Sequence, residues 1–104
     1  MKPHEIAACV KKVFTEHPEK FRQGSYFIDG GFCALGAAIL CVDPDVDIFH
    51  VEEYPLNHEV SSFKSAFYFV VGDRVDSVND RQGLLAIMAG LEKVIEEGLK
   101  HEIN

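Results

Sequence analysis

"FCALGAAILCV", residues 32–42, holds no charged side chain, and its only heteroatoms outside the backbone are the sulfurs of Cys33 and Cys41. Ala34, Ala37 and Ala38 favour a helix, and Gly36 lets another backbone come close. A helix that is apolar on every side has to be surrounded by other elements. The stretch is too short for a bilayer, which needs about 20 apolar residues. Residues 32–42 are therefore expected to form a buried central helix, and the rest of the chain is read as what covers it.

Upstream, "KPHEIAACVKKVFTEHP" (2–18) puts Ile6, Val10, Val13, Phe14 and His17 on one helical face, with Pro3 and Glu5 suited to the first turn and Pro18 ending the helix. In "FRQGSYFIDGGF" (21–32), Gly24, Gly30 and Gly31 bracket Tyr26, Phe27 and Ile28, which predicts a short strand-like arm near 25–28. Downstream, "VDPDVDIFHVEEYPLNHE" (42–59) reads as an acidic surface loop, with one strand or helical turn near Ile48–Val51. In "HEVSSFKSAFYFVVG" (58–72), Val60, Phe63, Phe67 and Val70 keep helical spacing over more than ten residues, which favours a helix over the strand that AFYFVV alone would suggest. "GDRVDSVND" (72–80) reads as a connector. Leu84, Ile87, Met88, Leu91, Ile95 and Leu99 then form a helical stripe, for which Asn79 with Gln82 can act as a capping box and Ser77 with Asp80 as a second start. The expected fold is one predominantly α domain over 1–104, with α+β as the alternative. About four helices surround helix 32–42.

Three cysteines at no metal-like spacing argue against a disulfide framework or a zinc site, and Cys33 and Cys41, about 12 Å apart along one helix, cannot pair with each other. His4, His17, His50, His58 and His101 are scattered in no ligand pattern, so neither metal nor cofactor is expected. The charged N-terminus lacks the apolar region of a signal peptide, and the expected setting is the cytoplasm.

The net charge of −7 is unevenly distributed. Residues 1–22 carry five Lys or Arg against three Glu (+2); residues 23–63 carry seven acids and no Lys or Arg (−7); residues 64–104 carry five against seven (−2). Such a middle segment is ill-suited to phosphates, which disfavours direct nucleic-acid binding. It suits a basic surface on another protein, through Asp43, Asp45, Asp47, Glu52 and Glu53. Self-association stays open.

Cys33 follows a Gly pair at the start of the central helix, where the macrodipole lowers a thiol's pKa. A Cys33-dependent hydrolase or transferase would need His50 or His58 as base and Asn79 or Asp80 as orienter. Against this, buried cysteine is a common core residue, and Asn79 and Asp80 suit helix capping. The rings of Phe63, Phe67, Tyr68 and Phe69 could line a small-ligand pocket, although the same spacing serves a core.

The order of "RQGSYF" (22–27), "GGFCALGAA" (30–38) and "VND" (78–80) resembles a family of small uncharacterised bacterial and phage proteins. These carry a Q-G step, a Gly shortly before a C-[AL]-x-G-A helix, and an N-D pair, usually preceded by Trp, opening a final helix. Val78 stands here in the place of that Trp. The resemblance implies a compact, mainly helical domain in which Cys33, Gly36, Asn79 and Asp80 meet, and it implies no activity. The expectation from the sequence is a non-catalytic, acidic protein-interaction module, of the kind a phage or mobile element would use to inhibit a host nucleic-acid enzyme through its basic surface.

Overall fold

The computed structural model describes residues 1–48 and 57–103. It is predominantly α with a short strand arm. Five helices occur among the described residues: α1 (Pro3–Glu16), α2 (Ala34–Val42), α3 (His58–Val71), α4 (Val75–Arg81) and α5 (Leu84–Ile103). Between α1 and α2, β1 (Phe27–Ile28) and β2 (Gly31–Phe32) form a two-residue antiparallel hairpin that pairs Phe27 with Phe32 and Ile28 with Gly31. Phe32 also bridges to Phe21 in parallel.

The core is built from the stripes that the periodicity marks. Ile6, Val10 and Phe14 of α1, Val60, Phe63 and Phe67 of α3, and Ile87, Leu91 and Val94 of α5 are buried in one cluster with Ala34, Leu35, Ala37, Ala38 and Ile39 of α2, and α5 joins it by packing on α1, α3 and α4. Leu84, Met88 and Ile95 pack at the edge of this core, while Leu99 lies largely in water. Residues 58–71 are helical, capped at the start by Asn57, whose side chain accepts hydrogen bonds from the Glu59 and Val60 amides, and ended by Gly72 in the left-handed region.

Glycines set two of the helix contacts. A Cβ at Gly90 would lie 2.6 Å from the Phe67 ring, and one at Gly98 would lie 2.3 Å from the His4 side chain. α5 therefore sits close on α3 at one point and on α1 at the other.

Three expectations are corrected. The buried helix starts at Ala34, because Phe32 is held in β2 and Cys33 is the N-cap. The stretch 72–80 is not merely a connector: Val75 and Val78 both turn into the core, and 75–81 is helical. α5 consequently starts at Leu84, after Gly83 at φ +91°, and neither Asn79 nor Asp80 caps it.

The fourth correction concerns the cysteines. Cys9 of α1 and Cys41 of α2 form a disulfide, with their Cα atoms 6.2 Å apart. The expectation against a disulfide fails because the bond joins two helices, where the limit on Cys33 and Cys41 along one helix does not apply. α1 packs alongside α2, and that packing brings the two sulfurs together across a sequence separation of 32.

Candidate functional site

The three motif stretches converge on one buried node, with Asn79 at its centre. Asn79 is 1% exposed, and it is the buried polar residue among the described ones. Its Oδ1 accepts from the Ala34 amide at 2.8 Å, the first N–H of α2. Its Nδ2 donates to the Arg22 carbonyl at 3.0 Å and to Asp80 Oδ1 at 3.0 Å. The first turn of a helix leaves amides without intrahelical partners. Cys33, as N-cap, reaches only the Gly36 amide, its sulfur 3.4 Å away, and Asn79 supplies the acceptor for Ala34 from α4. One side chain thus caps a helix from 45 residues away.

The rest of the node fixes the loop before the hairpin. Gln23 Nε2 donates to the Asn79 and Asp80 carbonyls at 3.1 and 3.2 Å, taking up the exposed end of α4. The Gly24 amide donates to Asp80 Oδ1 at 2.8 Å. The Cys33 amide donates to the Tyr26 carbonyl at 3.1 Å, and a Cβ at Gly36 would lie 2.2 Å from that same oxygen. Gly36 is therefore required for the arm to lie against α2. The Arg22 guanidinium binds the carbonyls of Glu19, Phe21 and Asp29. No buried side-chain nitrogen or oxygen among the described residues is left without a partner.

Cys33 is 6% exposed, its sulfur turned into this node. Burial pushes the thiol above its ordinary value; the Gly36 and Leu35 amides pull it down, and the Asp80 carboxylate raises it further. The macrodipole argument from sequence placed Cys33 at the right end of the helix, but desolvation outweighs it, since removing a thiolate from water costs more than partial charges at a helix end return. The node holds Cys33, Asn79 and Asp80 together. His58 is not part of it: it opens α3 at an exposed position and makes no hydrogen bond to any of the three. His50 lies outside the described residues. Among the described residues the candidate catalytic set thus comes together as a thiol, an amide and a carboxylate without His58, and Asn79 and Asp80 are engaged in holding backbone.

Nothing matches this chain. No family model, no curated protein and no solved structure is similar to it. Its surface has to be read on physical grounds.

Two surface features stand out. At the end of α2, the Asp43 amide donates to the Ile39 carbonyl at 2.8 Å, while its side chain accepts from the Asp45 amide and its carbonyl from the Val46 amide, each at 3.1 Å. Val46 packs on the core, leaving Asp45 and Asp47 on the outside. Glu52 and Glu53 lie outside the described residues. The second feature is an open groove of about 670 Å³ bordered by His4 of α1, Ala66, Phe69 and Val70 of α3, and Val94 and Gly98 of α5. The aromatic set is divided there: Phe63 and Phe67 are core, Tyr68 is exposed, and Phe69 stands at the groove with 89% of its surface in water. Sequence periodicity missed the groove because its residues come from three helices, α1, α3 and α5, whose juxtaposition no single stretch of sequence displays. Among the described residues no cluster of His, Cys, Asp or Glu could hold a metal ion, and no helix is long and apolar enough to cross a membrane.

Proposed function

We propose that the protein is a non-catalytic interaction module that offers the acidic segment following α2 to a basic surface on another protein. The supporting observation is the Asp43 turn. Its hydrogen bonds and the packing of Val46 hold Asp45 and Asp47 outward in one arrangement. A charged patch held by backbone loses little conformational freedom on binding, and its field steers an oppositely charged partner. The chain adds Glu52 and Glu53 a few residues on and contributes no Lys or Arg between residues 23 and 63. A host nucleic-acid enzyme would present such a surface where it grips phosphates, and a phage or mobile-element inhibitor working in the cytoplasm would gain by covering it.

Affinity capture from host lysate, read by mass spectrometry, tests this. The immobilised protein should retain a basic partner at low salt and release it as salt rises. Asp45→Lys with Asp47→Lys should abolish retention, and Cys33→Ala should leave it intact. Retention that survives the charge reversal rejects this interface. A turnover activity lost in Cys33→Ala would replace the module with an enzyme.

A further inference from the structure

The groove and its neighbouring ring belong to one face, and that face differs in charge from the rest of the molecule. It is built by α1, α3 and α5, and the carboxylate that borders the groove, Glu97, is paired with Lys100 of the same helix 3.4 Å away. Asp43, Asp45 and Asp47 instead lie at and after the end of α2, which packs on α1, α3 and α4. A strongly acidic protein thus keeps one near-neutral apolar face. Phe69 projects from it, almost wholly in water, beside a hollow of about 670 Å³, several times the volume of a phenyl ring.

We propose that this face joins two copies of the chain about a two-fold axis, each copy's Phe69 seated in the other's groove. A projection and a hollow on the same face are what a closed, isologous contact needs; on different faces they would build an open chain of subunits. The polar groups on the face fit the same operator. Glu97 and His101 lie one turn apart on α5, and both border the groove. A two-fold axis between them runs the two α5 helices antiparallel and sets each Glu97 against the other copy's His101. Room is sufficient: the molecule measures 41 × 26 × 24 Å, and a face along its long axis accommodates the roughly 800 Å² per partner of a standard interface. The near-neutral charge of the face lets two molecules of net charge −7 approach there.

Sedimentation equilibrium of the full chain over roughly 1 to 100 µM should show a species of twice the 11.6 kDa monomer mass. Phe69→Asp should weaken the dimer at least tenfold with no change in the melting temperature of the dilute, monomeric chain. His101→Glu should weaken it several-fold by placing like charges together, and Glu97→Lys combined with His101→Glu should recover it. A monomer throughout the range overturns the proposal, as does a dimer indifferent to Phe69→Asp. Failure of the charge swap to recover association rejects the two-fold arrangement. A monomer whose groove takes up an apolar dye would make it a small-ligand site instead.

Discussion

The Asn79 node and the α3–α5 groove stand on the same helical frame and are built on opposite terms. In the node the motif residues hold backbone: Asn79 binds Ala34 and Arg22, Gln23 the end of α4, and Asp80 the Gly24 amide. The groove combines small and apolar residues with His4, Ser65, Glu97 and His101, and its Phe69 lies in water. The residues that look most like chemistry in the sequence thus hold the structure together, while a residue that looks like core is turned toward solvent. A buried amide costs free energy unless its hydrogen bonds are made, so Asn79 has no capacity left for a ligand. Exposed apolar surface beside a hollow is the reverse case, in which burial by another molecule is the favourable step.

The largest expected effect lies in the node. Asn79→Ala leaves the Ala34 amide and the Arg22 carbonyl without their partner, and at about 2 kcal/mol for each buried group the loss comes to about 4 kcal/mol. Urea unfolding of the variant measures it. A loss below about 1 kcal/mol would mean that water replaces the side chain and that the node is open enough to bind a ligand, which would erase the contrast with the groove.

Next comes the Cys9–Cys41 bridge. It closes a loop between α1 and α2 over a sequence separation of 32, for which chain entropy gives a stabilisation of about 3.7 kcal/mol. Unfolding with and without dithiothreitol should differ by that amount, and the double variant Cys9→Ser with Cys41→Ser should behave as the reduced protein does. In a reducing compartment the two would stand as thiols, and the reduced value would then be the stability that applies. Equal stability in both conditions would show that packing of α1 on α2 sets the geometry without help from the bond.

The helices were legible because burial repeats with the helical period: Ile6, Val10 and Phe14, then Val60, Phe63 and Phe67, then Ile87 and Leu91, each mark a face that the structure buries. α4 was not legible, since its seven residues are too few to display a period and offer only the pair Val75 and Val78. Asn79 defeated the sequence in a more instructive way. Local capping rules look three residues ahead, where Gln82 completes a plausible box, whereas the amide that Asn79 caps belongs to residue 34. Likewise Cys9 and Cys41 become partners only through the packing of α1 on α2, which no spacing encodes. Of the acidic patch, Asp43, Asp45 and Asp47 are placed, and the capping of α2 by Asp43 follows from a familiar turn preference.

Cys33 sharpens the comparison at intermediate size. Because burial raises its pKa, the folded thiol keeps its proton to a higher pH than the unfolded one. The unfolded state therefore binds fewer protons once pH passes the ordinary thiol value of 9.0, and stability falls as pH rises from there toward the folded value. The contribution is fully present below that window. It declines by at most about 1.4 kcal/mol per pH unit within it. Wild type should lose stability faster than Cys33→Ala as pH rises through the alkaline range, the other groups cancelling in the difference. Alkylation near neutral pH should label Cys33 only as fast as the fold opens. Rapid stoichiometric labelling in the folded state would instead show an accessible thiolate and bring the enzymatic reading of the node back into play.

The smallest effect on stability is expected at Phe69, and there its smallness is the informative result. The ring is 89% exposed in the single chain, so Phe69→Ser removes little packing from the fold and should shift unfolding free energy by less than about 0.5 kcal/mol when measured at dilution, where chains are separate. Two residues earlier Phe67 is fully buried against Gly90, and the same substitution there would open the core. At high concentration the two regimes should part: wild type gains stability from association by mass action, and Phe69→Ser does not. A melting temperature that rises with protein concentration for wild type and stays flat for the variant places the ring in an interface between copies. If both stay flat, Phe69 is an ordinary surface ring and the groove has no partner in a second chain; if both rise in parallel, association uses another face, and the near-neutral surface of α3 and α5 is not what brings the copies together.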